Sequence, residues 1–412
     1  TSLLQENILH SSKSAMWTVN TNDYHFSFED TEPIVIFSSK INLGCSNDRG
    51  EINIFDTKGV YYPLSYKWIG GEGMIYWENH GFSKDSVFAQ TSNYKFDTRK
   101  SQVIADSSIF YNKFFFDEAI VGQIVNKIAS GKQAENFPRF TSYSKDIEVK
   151  EIFDNVDYRG GYKLIGKEFV ADGGDYQKAR IIIRKEGKEV LIVNANRFNV
   201  GSDKITSAEV GVKIFFDTDS LFHSNLSFKY FDSKRQLQFY RDRNSPSGSP
   251  MLNSYHNLTM DFELLEWNID SDIITFGSLQ ETEESIVRFE SIDMYLQSRF
   301  EEIQGIDAMH PLLLIKKYIK EKQEEKFYVE DFARFARFPG HQIKPYLIRL
   351  ASYGFIFYDF AEERVTVQPM LHTYINAANE ISDYDVISFH SSALNTDKGA
   401  ILNNHLVNAI IN

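Results

Sequence analysis

Residues 310–369 read helix, helix, helix and then a tight hairpin, inside a chain that otherwise reads as strand after strand. That contrast constrains the fold more than any single motif. Apolar residues at helical spacing (Leu313, Ile315 and Ile319; Phe332, Phe335 and Ala336; Ile343, Leu347, Ile348 and Leu350) give helices over 312–320, 329–337 and 342–352. Pro311 opens the first and Gly354 closes the third, as fits a first-turn proline and a C-terminal glycine. Residues 355–358 and 364–367 then pair across 359–363, and 370–378 is a further helix. The order is that of a winged helix.

On either side the period is two. Strands are predicted at 34–37, 51–55, 74–77, 87–90 and 102–104, then at 179–184, 189–194, 208–216, 226–230, 236–240, 273–276 and 286–289. A single long strand is expected over 256–269, and the chain returns to strand at 384–389. Turn signals separate them: Ser46 to Gly50, Thr57-Lys58-Gly59, Gly70-Gly71-Glu72-Gly73, Asn79-His80-Gly81, Lys185 to Lys188, and the loop from Ser245 to Pro250. Helix is expected at 2–9 and 119–129. Asp-Ser pairs open similar segments at Asp85, Asp106 and Asp219. The 21-residue interval between the first two is close to one coil of a β-solenoid, although ordinary turns explain them as well.

The expected architecture is therefore mainly β: stacked sheets, or a β-solenoid or jelly-roll-like scaffold, with an embedded winged-helix-like domain. The domain reading is a β-rich region at 1–136, a second at 137–304, the helical domain at 305–378, and a returning β segment at 379–412. The chain starts at Thr1, and residues 400–412 alternate and then stop, so it is expected to be part of a longer protein.

Composition narrows the function classes. Hydrophobic content of 42% with 25% charge is globular rather than disordered. The 34 Phe and 22 Tyr favour pleated, half-buried surfaces. A net charge of −13 argues against nucleic acid and anionic lipid as partners. Residues 310–369 hold ten basic and eight acidic residues, too balanced for a reader of DNA through Gln342, Lys344 and Arg349, and Glu362 and Glu363 at the hairpin tip would repel phosphate. Pro345 is expected inside the first turn of that helix, where a base-reading helix needs exposed polar groups, so a structural or protein-contact role is favoured. Cys45 is the single cysteine, which excludes an intrachain disulfide, and no apolar run is long enough to span a membrane as a helix.

No reaction-bearing motif stands out. Histidines such as His223 and His256 are scattered and read as structural; Gly70 to Gly73 is a turn, not a phosphate loop; Asp172-Gly173-Gly174-Asp175 lacks the further carboxylates a hard cation needs. No cofactor, metal or catalytic residue is assigned. The best candidate site is the aromatic group Tyr61, Tyr62, Tyr66, Trp68, Tyr76 and Trp77. Within it Trp68, Tyr76 and Trp77 are the candidate ligand-binding residues, as a platform for a glycan if exposed, or as core if not. A glycosidase or lyase carboxylate pair is the alternative, unlocatable from sequence.

Several stretches resemble a group of very large, uncharacterised cell-envelope proteins of Bacteroidota-type bacteria. They are Phe137-Pro138-Arg139-Phe140-Thr141-Ser142-Tyr143, Asp157-Tyr158-Arg159-Gly160-Gly161-Tyr162, Asn253-Ser254-Tyr255-His256 through Trp267, His310-Pro311-Leu312, and Asp383-Tyr384-Asp385-Val386-Ile387. The resemblance implies export to the periplasm or envelope and a structural or binding role towards protein or glycan. No activity and no functional residue transfers with it.

Overall fold

The computed structural model describes residues 6–174, 177–241, 249–277, 285–304, 309–338, 340–359, 362–393, 401–403 and 409–410. The protein is mainly β, with antiparallel strands in stacked sheets and a few helices. It forms two compact units: one of residues 1–180 and 196–202, the other of residues 181–195 and 203–412. The dividing line runs through the stretch 137–304. Residue 137 falls in the connection between Ile120–Lys127 and Arg139–Ser142, two strands paired in one sheet.

The first unit is an antiparallel run. Its strands are β1 (Ile8–Ser11), β2 (Met16–Val19), β3 (His25–Glu29), β4 (Glu32–Asn47), β5 (Gly50–Tyr62), β6 (Lys67–Gly70), β7 (Gly73–Tyr76), β8 (Val87–Asp97), β9 (Gln102–Asn112) and β10 (Ile120–Lys127). There follow β11 (Arg139–Ser142), β12 (Ile147–Phe153), β13 (Val156–Ile165) and β14 (Glu168–Asp172); β15 (Ala179–Lys185) carries the chain into the second unit, β16 (Lys188–Ala195) lies there, and β17 (Arg197–Val200) returns. β4 and β5 form a hairpin closed by Asp48 and Arg49. β5 pairs with both β6 and β7, which both pair with β8. The ladder then runs β8, β9, β10, β11, β13, β14, β17.

Several expectations change here. Among the described residues the strand ladders with a described register are antiparallel, and the parallel bridge of Met294 with Asp385 is isolated. The Asp-Ser interval therefore does not mark stacked coils. Asp85 precedes β8 whereas Asp106 sits within β9, and these two strands run opposite ways. Residues 119–129 form β10, not a helix. Gly122 and Asn126, a glycine and a polar residue on its buried side, hide the alternation. Thr57-Lys58-Gly59 is not a turn but part of β5, beside a register shift; Asp56 takes φ 52° and Thr57 is fully enclosed, its hydroxyl 2.7 Å from that of Tyr94. A Cβ at Gly59 would lie 2.5 Å from the Trp68 ring, so this glycine lets the indole press against the backbone. Of the expected entry helix, residues 1–5 lie outside the described residues and Ile8–Ser11 is strand.

The second unit continues with β18 (Lys204–Phe216), β19 (Asp219–Phe231), β20 (Gln236–Tyr240), β21 (Met251–Asn253), β22 (Leu258–Asp261), β23 (Leu264–Asn268), β24 (Ile273–Gly277) and β25 (Ser285–Ser291). The turn at Glu186 and Gly187, both at positive φ, closes β15 onto β16 as expected. The single strand expected over 256–269 is two, because β22 pairs with β21 and β25 while β23 pairs with β20 and β24. Most of the loop expected from Ser245 to Pro250 lies outside the described residues.

The helical element follows: α1 (Gln297–Gln304), α2 (Pro311–Lys322), β26 (Lys326–Tyr328), α3 (Val329–Ala336), α4 (Gly340–Ser352), β27 (Ile356–Asp359), β28 (Arg364–Val367) and α5 (Pro369–Ala378). The three strands form a sheet in the order β26-β28-β27. Leu312, Ile315, Phe332, Leu347, Leu350, Val365 and Leu371 form its core. His310 caps α2 by accepting the Leu312 N–H at 3.2 Å, and Gly354 (φ 83°) follows α4. α4 begins two residues earlier than the spacing suggests, which puts Pro345 beyond its first turn. The element rests on the sheet of its own unit: Phe357 meets Phe222 of β19 edge to face at 5.0 Å. Arg299 of α1 pairs with Glu290 of β25 at 2.9 Å, both side chains nearly enclosed. After α5 the chain returns to strand at β29 (Ser388–Ala393), later than the expected 384–389, and then at β30 (Ile401–Asn403), which pairs with β24, and β31 (Ala409–Ile410).

Candidate functional site

The six aromatics singled out from sequence do not share a face. Strand side chains alternate, so Tyr76 and Trp77 diverge. Trp68 and Trp77 are at most 1% exposed. Trp68 stands between Tyr61 and Phe96 across β5, β6 and β8, and Trp77 packs on Phe110. Neither indole can stack on a ligand, and the platform of Trp68, Tyr76 and Trp77 is corrected accordingly. Tyr61 is core as well, its hydroxyl donating to the Leu9 carbonyl at 2.9 Å. Tyr62 donates to Glu29, and Tyr66 is exposed under the Arg99 guanidinium.

Tyr76 is half-buried on the opposite face, and there it belongs to a row. Tyr76 is directly opposite Phe88, and Phe88 directly opposite Tyr111. Phe55 joins from β5, 5.5 Å from Tyr76. Tyr76 and Phe88 are 6.2 Å apart and tilted; Phe88 and Tyr111 stack at 4.5 Å and 14°. A second row runs alongside: Met74, Gln90, Ile109 and Val121 are successive partners, and the Val121 carbonyl accepts the Tyr143 N–H at 3.0 Å. Ile109, Val121 and Tyr143 are 39%, 49% and 56% exposed. The strip thus crosses β5, β7, β8, β9 and β10 and ends at Tyr143, the residue after β11.

Its chemistry is apolar with few polar groups, among them Gln90 and the Gln123–Asp106 hydrogen bond at 2.8 Å. The ring geometry decides what it can hold. One face of Phe88 is covered by Tyr111, and the Lys113 ammonium lies 6.0 Å from the Phe88 ring centre. Sugar stacking requires a free ring face. Contact by another protein requires only area and shape. Of the strip, sequence reasoning found Tyr76 alone. The signal for the rest was two apolar registers in one segment, as in Val87-Phe88-Ala89 and Ile109-Phe110-Tyr111.

In the helical element, two of the three side chains that would read DNA are engaged. Lys344 pairs with Glu363 at the hairpin tip, and Arg349 donates to the Glu302 carbonyl. Asp172 is taken by two cations, Lys145 at 2.6 Å and Lys163 at 2.8 Å. Burial works to raise its carboxyl, but the two ammonium groups outweigh that and hold it below the usual range. Asp175 lies outside the described residues. Gly70 to Gly73 joins β6 to β7. His223 is fully enclosed: Nε2 donates to the Ser249 carbonyl at 2.7 Å and Nδ1 accepts the Asn225 N–H at 3.0 Å. Burial, with the nearby Arg241, pushes it down to about 3. Burial likewise pushes the Cys45 thiol up to about 12. Among the described residues no group of three His, Cys, Asp or Glu could hold a metal ion, and no helix is long and apolar enough to cross a membrane.

No protein-family model matches the chain, and no curated protein matches it.

Proposed function

We propose that this chain is a non-enzymatic structural or binding protein of the cell envelope that contacts a protein partner through the strip of Tyr76, Phe88, Tyr111, Ile109, Val121 and Tyr143. The observation that carries this reading is the register. Half-exposed rings stand directly opposite one another on three adjacent strands, with exposed aliphatic residues beside them. Contiguous exposed apolar surface of this kind belongs to interaction sites, and aromatic residues and methionine are enriched in their centres. The stacked Phe88 and Tyr111 favour protein over glycan, because each covers one face of the other and Lys113 lies over Phe88. The helical element serves as a winged-helix-like contact or structural module. The engagement of Lys344 and Arg349, together with the acidic chain, supports that reading over nucleic-acid binding. The envelope location rests on the resemblance described above.

The test is site-directed photo-crosslinking at Val121 in native cells, with fractionation of the product. The expected result is a discrete protein adduct in the envelope fraction that disappears when Ile109→Lys is added. An adduct unchanged by that substitution, or one confined to another compartment, contradicts the reading. Release of reducing sugar from a glycan by the purified chain would favour a carbohydrate-active enzyme instead.

A further inference from the structure

A cavity of about 610 Å³ opens in the helical element, between the end of α2, β26, α3 and β28. Its floor is aromatic. Tyr318 meets Phe327 at 4.9 Å and Phe335 at 5.0 Å, both edge to face. Tyr318 is 3% exposed, and its hydroxyl makes no hydrogen bond to any described residue. The oxygen itself is not enclosed, so it reaches the solvent of the cavity and can donate to an acceptor bound there. Burial, with Asp331 and Glu324 nearby, raises its pKa and keeps the proton on the oxygen.

The mouth is cationic in an otherwise acidic chain. Lys322, Lys326, Arg334 and Arg364 line it, against Glu324 and Asp331. Arg334 is paired with Asp331, and Arg364 lies over the Tyr328 ring at 5.8 Å. Lys322 and Lys326 have no ion-pair partner among the described residues. β26 is an edge strand of its sheet, with β28 on one side only. An edge strand beside a pocket is where an extended peptide adds to a sheet.

We infer that this cavity binds an acidic segment of a partner protein, one carboxylate accepting the Tyr318 hydroxyl and lying between Lys322 and Lys326. An aromatic side chain next to that carboxylate rests on Phe335 and Tyr328, and the segment runs along β26. A nucleic-acid strand fits less well, because Glu324 and Asp331 sit among the cations and would face its regularly spaced phosphates. A single carboxylate meets that repulsion once, with Lys322 and Lys326 beside it to offset it.

The experiment uses the full chain and a fluorescein-labelled, end-capped peptide of alternating Glu and Phe, titrated by anisotropy at low salt. Saturable binding is expected. Tyr318→Phe, which removes one oxygen, should weaken it about tenfold, the weight of a hydrogen bond to a charged group. Lys322→Glu with Lys326→Glu should abolish it, as should Gln for Glu in the peptide. Unchanged circular dichroism and unfolding midpoint for Tyr318→Phe show that the fold is retained. The inference is overturned if the peptide does not saturate, if Tyr318→Phe binds it as well as the parent, or if a labelled single-stranded oligonucleotide binds more tightly and is lost with the same charge reversals.

Discussion

Trp68 and Tyr76 lie on neighbouring short strands, both paired with β8, and have opposite fates. Trp68 is fully enclosed between Tyr61 and Phe96; Tyr76 lies half-open in a row with Phe88 and Tyr111. Residue type does not separate them. Strand parity does, since the side-chain period is two and one step along a strand moves a ring from core to surface. The same division applies to ionisable groups: His223 and the Arg299–Glu290 pair are enclosed, whereas Lys113 and Tyr143 are open.

The largest effect should come from deleting an enclosed ring. Trp68→Ala leaves a cavity that Gly59 and Phe96 cannot fill, and should cost about 3–5 kcal/mol in urea unfolding of the first unit. Tyr76→Ala, on the other face, should cost less than about 1 kcal/mol. Equal costs would break the comparison.

Next is the enclosed ion pair. Burial works to raise the Glu290 carboxyl, but Arg299 and Arg288 more than offset this and hold it below its ordinary value. Arg299→Met leaves that half-enclosed carboxylate to the more exposed Arg288 alone, and should cost about 3 kcal/mol at pH 7. The loss should shrink as the pH falls and Glu290 takes up a proton. A pH-independent loss would mean that Arg299 contributes only packing.

His223 gives a smaller, graded effect. The unfolded chain takes up this proton first, so the contribution is complete above about pH 6.5 and falls as the pH drops towards 3. Between pH 6.5 and 4.5 it should remove about 2–3 kcal/mol from the second unit. His223→Gln should flatten that slope, and an unchanged slope would refute the assignment.

Much of the architecture could be read in advance, and the misses have physical causes. The 236–240 strand coincides with β20, and the helices at Pro311 and Val329 begin where proline and the 3.6-residue period place them. β10 was hidden because its buried register is Gly122, Ile124 and Asn126. Gly122 is required there, since a Cβ would lie 2.2 Å from the Thr141 carbonyl oxygen. The break between β22 and β23 depends on strand partners far away in sequence, and no local pattern reports it. The candidate site failed in the same way. Aromatic clustering along the chain was visible, but which members share a face depends on register shifts such as the one between Thr91 and Asn93. Tyr111 and Tyr143 join Tyr76 only through pairings across β8, β9 and β10.

The smallest stability effect separates folding from contact. Val121→Lys, half-exposed on β10, should shift stability by no more than about 0.5 kcal/mol while abolishing partner retention. Lost retention together with a large destabilisation would place Val121 in the core instead.

Hydroxyl-radical footprinting of the chain, alone and with its crosslinked partner, tests the parity argument most directly. The account predicts oxidation of Tyr76, Tyr111 and Tyr143 in the free chain, their protection in the complex, and Trp68 and Trp77 unmodified in both. Oxidation of either tryptophan in the free chain, or tyrosines equally modified with and without the partner, would contradict it.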